Sequence, residues 1–311
     1  MSLGWDSGFL DVKPGFYAYI DPDGGWFKSN TGIIDGGDYT VIVDSQYNGE
    51  RMRRILEWIE SRGLPAPRIL VNTHHHGDHV WANHIVGSAV KIAHTVTARL
   101  VKNSLDVDPG MYKAFFPELD FSGSRYTVPD VAFEGGAARI TLPNGVELEL
   151  IHMGPAHTPG DTLVLAREEG VAYTGDLLFC RVTPFALDGY IDGWIRVLRE
   201  VLPNLSVDYY IPGHGPICGS SGIGEVAEYL EMVKREAEEA YRKGLKPLEA
   251  ALRIDLGRYR SWRDPERLVG NLYRAYKELE GGVPAEPIED IATIALDMIA
   301  YRNALEERTL G

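Results

Sequence analysis

Read for hydrophobic period, the chain opens with strand signals. "FYAYI" and the longer "GWFKSNTGIIDGGDYTVIVDS" are rich in β-branched and aromatic residues, with glycine pairs at Gly24-Gly25 and Gly36-Gly37 that predict tight turns between strands. "GERMRRILEWIESRG" repeats Met52, Ile55, Leu56 and Ile59 at three- and four-residue steps and stops at Gly63, which predicts a helix with one apolar face. "PRILVNT" follows as a short strand of the fully buried kind. "WANHIVGSAVKIAHTVTARLVKNS" predicts a short helix, a strand at "VKIAH" and another helix.

A second strand-rich half then begins. "ARITLPNGVELELIHM" reads as a hairpin turned at Asn144-Gly145, and "TLVLAREEGVAYTGD" as a strand pair around Glu169-Gly170. "IDGWIRVLREVL" is an amphipathic helix, and "VDYYIPGHG" a strand running into a loop. The expectation is an α/β domain over residues 1–221, two similar halves packed sheet on sheet with helices outside. From Gly222 the period is helical throughout. Val226, Leu230, Val233 and Ala237 share one face, and Asp264-Pro265 and Glu286-Pro287 read as N-cap and first-turn proline of two more helices. Residues 222–311 carry no cluster of nucleophiles or ligands and are expected to be a helical extension packed on the first domain, structural or oligomerising in role or edging the active site. Asn103 to Gly136 fits neither period. Its aromatics (Tyr112, Phe115, Phe116, Phe121, Tyr126) suit a core cover or subunit interface on one reading, a substrate wall or lid on the other.

Composition narrows the partners. The 311 residues are 44% apolar and 24% charged, enough for a full core. With 45 acidic against 31 basic residues the net charge is -14, which argues against nucleic acid or an anionic membrane as a main partner. No apolar run spans a membrane, and "MSLGWDSGFL" lacks the cationic and apolar regions of an export signal. Two cysteines, Cys180 and Cys218, are too few for a disulfide framework and suit a cytoplasmic chain, with Cys180 as a small packing residue.

The chemistry concentrates in "NTHHHGDHV", which holds four of the nine histidines. In extended backbone, residues i and i+2 point the same way, so His74 and His76 can share one metal ion. Gly77 lets the chain turn, so Asp78 and His79 can face a second ion. A polar loop is the plain alternative, but the tract follows a buried strand directly. His157 in "GPAHTPGD", Asp176 in "YTGDLLF" and His214 in "IPGHGP" each follow a strand within a Gly/Pro loop, where rigid scaffolds present functional groups. Together the seven make an N/O donor set suited to divalent ions. His75, His84, His94 and His152 read as structural or surface residues.

"THHHGDH" resembles the H-x-H-x-D-H signature of the metallo-β-lactamase superfamily, and "AHTPGD", "YTGD" and "PGHGP" resemble its later motifs in the same order. The resemblance implies a four-layer αββα sandwich and a dinuclear metal-dependent hydrolase. It implies His74, His76 and His157 on one zinc ion, Asp78, His79 and His214 on the other, and Asp176 bridging. Asp78 would also orient the nucleophile, a hydroxide shared by the ions. Iron or manganese suits the same donors. Asp44 is implied to steady a ligand histidine, the alternative being a strand-end turn residue. Asp176 stands where true metallo-β-lactamases carry Cys or Ser, and Phe179 where quorum-sensing lactonases carry Tyr. "GD-x-x-F" is shared with glyoxalase II, but no basic glutathione-binding cluster accompanies it. The pattern through "YTGDLLFCRVTPF" is most similar to the cyclase and thioesterase-like branch, implying an ester, thioester or lactone carbonyl as target. Trp26, Phe179, Phe185 and Tyr190 are then candidate pocket walls. Two rival readings remain: an iron-containing redox or sulfur-chemistry enzyme on the same site, and a non-catalytic binding protein retaining the fold.

Overall fold

The computed structural model describes residues 6–288 and 290–310. The alternation in "FYAYI" does what a half-buried strand requires: Phe16, Ala18 and Ile20 enter the core, while Tyr17 and Tyr19 turn to the opposite face. That strand belongs to a seven-stranded sheet whose neighbours follow chain order: β1 (Gly8–Lys13), β2 (Phe16–Ile20), β3 (Thr31–Asp35), β4 (Thr40–Val43), β5 (Pro67–Val71), β6 (Val90–His94) and β7 (Val131–Phe133). Pairing is antiparallel up to β4 and parallel from β4 to β7. The parallel steps need crossovers, supplied by helix α1 (Gly49–Ser61) and, after β6, α3 (Thr95–Asn103). Strand β1 was not foreseen from the sequence, nor was the start of β3 at Thr31, five residues beyond Trp26.

The second sheet runs in the order β12-β11-β10-β9-β8, formed by β8 (Ala137–Thr141), β9 (Glu147–His152), β10 (Thr162–Ala166), β11 (Val171–Phe179) and β12 (Tyr209–His214). Its inner face meets that of the first sheet. Phe16, Ile34, Val43 and Val71 pack with Leu148, Leu150, Val164, Tyr173 and Ile211 in one cluster. On the other face of the first sheet, Ile33, Ile42 and Leu70 bury Met52, Ile55 and Ile59 of α1. Full burial of side chains of this kind contributes about 1.5–3 kcal/mol each, so packing rather than helix propensity holds α1.

The aromatic segment between α3 and β8 is a cover on a third cluster. Leu119 and Phe121 are buried with Tyr47, Val80, Trp81 and Val101, and Phe27, Tyr112 and Phe116 pack against them. Asn48 Nδ2 donates to Asp120 O (2.8 Å), Ser124 Oγ to Tyr47 O (2.6 Å) and Arg125 N to Trp81 O (3.2 Å), which pins the segment to the loops bearing the histidine tract.

The chain divides into two compact units. Residues 1–153, 160–178 and 205–219 form the first, which holds both sheets, and residues 154–159, 179–204 and 220–311 form the second. The second unit is helical: α4 (Ile191–Arg196) continuing as a π-helical turn over Val197–Val201, α5 (Ser220–Arg242), α6 (Pro247–Ala251), α7 (Arg267–Leu279) and α8 (Ile291–Leu310). Val226, Leu230, Val233 and Ala237 are buried as their spacing predicts. The two proline starts are corrected. Asp264 sits at φ 54°, a left-handed conformation incompatible with the extended backbone of an N-cap, so a tight turn precedes α7. Before α8, Asp290 Oδ1 accepts Thr293 N (3.1 Å) in place of a cap at Glu286. No helix among the described residues is long and apolar enough to cross a membrane. Neither cysteine is a free thiol, and Cys180 is buried as a packing residue would be.

Candidate metal centre

Strand β5 ends at Val71, and the next residues fold into a tight loop rather than extending the strand. His74 and His76 therefore come together through this bend, and α2 (Gly77–Val80), a single turn with His76 as N-cap residue, carries Asp78 and His79. Asp176 is inside β11 rather than at its end, and His214 closes β12.

Two glycines make room for this convergence. A Cβ at Gly213 would lie 1.8 Å from Asp176 Oδ1, and one at Gly175, where φ is 50°, would lie 2.3 Å from Thr73 Oγ1. The glycines of "TGD" and "PGHG" are thus the space that the Asp176 carboxylate and the histidine loop occupy.

His74, His76 and Asp176 offer ligand atoms within 4.8 Å of one another, and Asp78, His79 and His214 do the same. Asp176 belongs to both neighbourhoods: Oδ1 is 3.1 Å from His79 Nε2, while Oδ2 is 3.8 Å from His74 Nε2 and 3.6 Å from His214 Nε2. Asp78 Oδ2 stands 3.1 Å from His214 Nε2 and 3.8 Å from His79 Nε2.

The surrounding hydrogen bonds choose which ring nitrogen of each histidine faces the centre. Asp44 Oδ1 accepts Thr73 N (2.7 Å), and Oδ2 accepts Thr73 Oγ1 (2.6 Å). With its proton committed to Asp44, the Thr73 hydroxyl accepts from His74 Nδ1 at 3.0 Å. His79 Nδ1 donates to Asp44 Oδ2 (2.9 Å), and His214 Nδ1 to Gly24 O (3.1 Å). In all three rings these bonds commit Nδ1 and leave Nε2 to face the centre. Asp44, at φ 62° and buried, thereby orients two histidines at once, which excludes the reading as a plain turn residue.

Residues that the sequence did not reveal lock the loops. Asn30 Nδ2 donates to Pro212 O and Gly215 O (both 2.8 Å) on either side of His214. Ser29 Oγ donates to Asp78 O (2.7 Å), and Ser45 Oγ (3.1 Å) and Asn72 Nδ2 (3.0 Å) donate to His79 O. Gln46 ties Ser29 O to Arg51, which pairs with Asp21.

The electrostatics ask for cations. Asp44, Asp78 and Asp176 are all buried, at 3%, 8% and 4% exposure. Burial pulls His79 towards the neutral form, but Asp176, Asp78 and Asp44 outweigh it and hold its pKa well above the usual value. Burial raises Asp78, yet His79 and His214 prevail and lower it to about 2. Buried His79 Nε2 has no hydrogen-bond partner among the described residues, although carboxylate oxygens surround it. Buried carboxylates gathered with inward-facing imidazole nitrogens suit divalent ions, which would displace the ring protons, in both neighbourhoods.

His157 lies in the second unit, on the Gly154–Pro159 loop, buried with its ring against Trp194 (5.2 Å between centroids) and Phe179 (5.6 Å). Phe179 is 1% exposed and is a packing residue rather than a pocket wall. Among the other histidines, His94 stacks on His152 at 3.8 Å and its Nδ1 accepts Val96 N, a structural role as expected.

Comparison with known proteins agrees with this geometry. Residues 24–225 match the family model described as the metallo-beta-lactamase superfamily. Hydroxyacylglutathione hydrolase GloC of Haemophilus influenzae is 29% identical over 202 residues, covering 61% of this chain and 86% of that protein. The 2,4-dinitroanisole O-demethylase subunit alpha of Nocardioides sp. is 27% identical over 186 residues, covering 58% of this chain and 51% of that protein. Among solved structures, the DIM-1 metallo-beta-lactamase superposes with a TM-score of 0.57 at 20% identity, over 73% of this chain and 98% of that one. The sec-alkylsulfatase Pisa1 from Pseudomonas sp. reaches 0.66 at 20% identity, over 91% of this chain and 52% of that one. At these identities the structural likenesses show the fold.

Proposed function

We infer, from the premise that this chain belongs to the metallo-beta-lactamase superfamily and is a metal-dependent hydrolase, that it cleaves thioester or ester bonds of small molecules at a centre of two divalent ions. The observation that carries the reading is the placement of Asp176, whose carboxylate lies within 3.8 Å of His74 in the first donor set and of His79 and His214 in the second. A carboxylate so placed is suited to bridge two ions. In this assignment His74, His76 and His157 hold one ion, Asp78, His79 and His214 the other, and Asp176 both. Zinc fits the histidine-rich set best, with iron and manganese as alternatives for the same donors.

Such ions supply two things when bound: a shared water of lowered pKa and polarisation of the scissile carbonyl. The chain's own residues do the rest. Asp78, held ionised by His79 and His214, accepts a hydrogen bond from the attacking water and orients it. Asp44 keeps His74 and His79 in one tautomer, so their Nε2 atoms need no reorganisation. In the reaction the water oxygen bonds to the acyl carbon, the C–S or C–O bond breaks, and the leaving thiol or alcohol takes a proton from the water.

The thioester preference draws on the GloC relative, whose name specifies hydrolysis of an acyl-glutathione. A panel on metal-loaded protein tests it: acyl thioesters, aryl esters, lactones, an alkyl sulfate, an aryl methyl ether, a phosphodiester and a β-lactam. The highest kcat/KM is expected on a thioester or ester. A preference for the sulfate, ether or β-lactam would overturn the assignment of bond type.

A further inference from the structure

In the second unit, helix α7 turns four polar side chains, Arg267, Asn271, Arg274 and Glu278, to one face at steps of four, three and four residues. Such a stripe usually faces water. Here Arg267, Asn271 and Arg274 are buried, at 2%, 0% and 0% exposure. Each has a partner in one short stretch of backbone, taken in order. Arg267 Nη1 donates to Thr183 O (3.0 Å). Asn271 Nδ2 donates to Pro184 O (2.9 Å), and its Oδ1 accepts Ala186 N (2.7 Å). Arg274 Nε donates to Leu187 O (2.8 Å), and Glu278 accepts Ile191 N (2.9 Å) at the start of α4. Four side chains thus grip a nine-residue strap, Thr183 to Ile191, along its length.

The strap in turn lies against the loop that carries His157. Tyr190 N donates to Ala156 O (2.8 Å), one residue before the histidine. A Cβ at Gly189 would come within 2.4 Å of Ala156 O, and one at Gly193 within 2.3 Å of Pro155 O, so the two backbones touch. At the near end, the Arg267 guanidinium sits over the Phe179 ring (5.5 Å), which packs on His157. At the far end, Glu278 holds the first turn of α4, whose Trp194 packs edge-on against the His157 ring. The face also bonds Asp264, Tyr229 and Glu286 O, but each of its four side chains holds the strap, whose flanks at Phe179 and Trp194 pack on His157.

We propose that the polar face of α7 is a positioning element for His157: by fixing the strap and the start of α4 it fixes the orientation of the imidazole. The inference rests on the assignment of His157 as a metal ligand, and it gives the C-terminal helices a part in the metal centre rather than a merely supporting or oligomerising role. Glu278 is the residue to test. It is the outermost of the four, and its amide counterpart keeps the oxygen that accepts from Ile191.

Apo protein is titrated with Co(II), with binding followed by calorimetry and visible absorption, for the wild type, Glu278→Ala, Glu278→Gln and His157→Ala, alongside the apo melting temperature of each. His157→Ala identifies the ion that depends on this ligand. Glu278→Ala is expected to weaken that same ion about tenfold or more, as loss of an outer partner of a metal ligand does, with the other ion unchanged. Glu278→Gln should restore it. Where the Ala variant fails to fold, Glu278→Asp, one methylene short of Ile191, takes its place. Wild-type affinity for both ions in the Glu278 variant, with His157→Ala deficient, overturns the inference alone. Equal weakening of both ions with a lowered apo melting temperature also overturns it, in favour of a general structural role. Retention of both ions by His157→Ala removes the ligand assignment and the inference with it.

Discussion

At the ends of β4, β5 and β12 and within β11, Asp44, His74, Asp78, His79, Asp176 and His214 turn their polar atoms towards one another; along α7, Asn271, Arg274 and Glu278 turn theirs towards main-chain carbonyls and amides. Both sets are largely buried, but they settle the cost differently. In the first, carboxylate oxygens and imidazole nitrogens stand 3.1–3.8 Å apart around one space, a donor set suited to cations. In the second, the folded chain itself supplies the partners. Buried polarity that awaits a ligand marks a site; buried polarity that grips backbone marks a support.

The largest expected effect separates the two. Asp176→Ala should lower turnover at least about 10²-fold and lose one or both ions, while the apo melting temperature holds or rises because a buried carboxylate has gone. Thermal scans with and without chelator check this, and a clear fall in the apo protein would place Asp176 among the supports. Asp44→Asn should cost about 10- to 100-fold in metal affinity, since an amide nitrogen cannot accept from Thr73 or His79; competition with a chromophoric chelator reads it. Asn271→Ala should destabilise by about 1–3 kcal/mol, because Ala186 N and Pro184 O lose their partner in a buried place. Denaturant unfolding with and without metal should show the same loss in both states.

The smallest effect is one of pH. Burial of Glu278, opposed by its bond to Ile191 N and by Arg274 and Lys234 and aided by Asp192, raises its carboxyl to about 7 from 4.5. Between those values the folded chain holds a proton that the unfolded chain has released, so this group's contribution to stability falls as pH rises from about 4.5 through 7. Glu278→Gln should flatten that part of the stability profile. An unchanged slope would show that Glu278 titrates near its ordinary value.

The contrast also marks how far one sequence can be read. The strands around the site are legible because alternation and apolar runs report burial directly, and the ligands because histidine and aspartate are concentrated beside glycine at recurring spacing. Asn30, Ser29 and Gln46 were not legible: their partners are backbone atoms such as Pro212 O, Gly215 O and Asp78 O, up to 185 residues away. The α7 face was not legible either, because Arg, Asn and Glu at helical spacing do not announce that a strap lies over them. Asp264 failed for a local reason: Asp-Pro suggests a cap, and only the backbone reveals φ 54°.

The central claim is that two ions share Asp176. The most direct measurement is a crystal structure of zinc-loaded protein with anomalous data at the metal edge, beside elemental analysis of the same sample. The account predicts two peaks per chain about 3.5–4 Å apart, with Asp176 touching both and Asp78, His79 and His214 on one. A single peak, or two ions with Asp176 bound to only one, would contradict it.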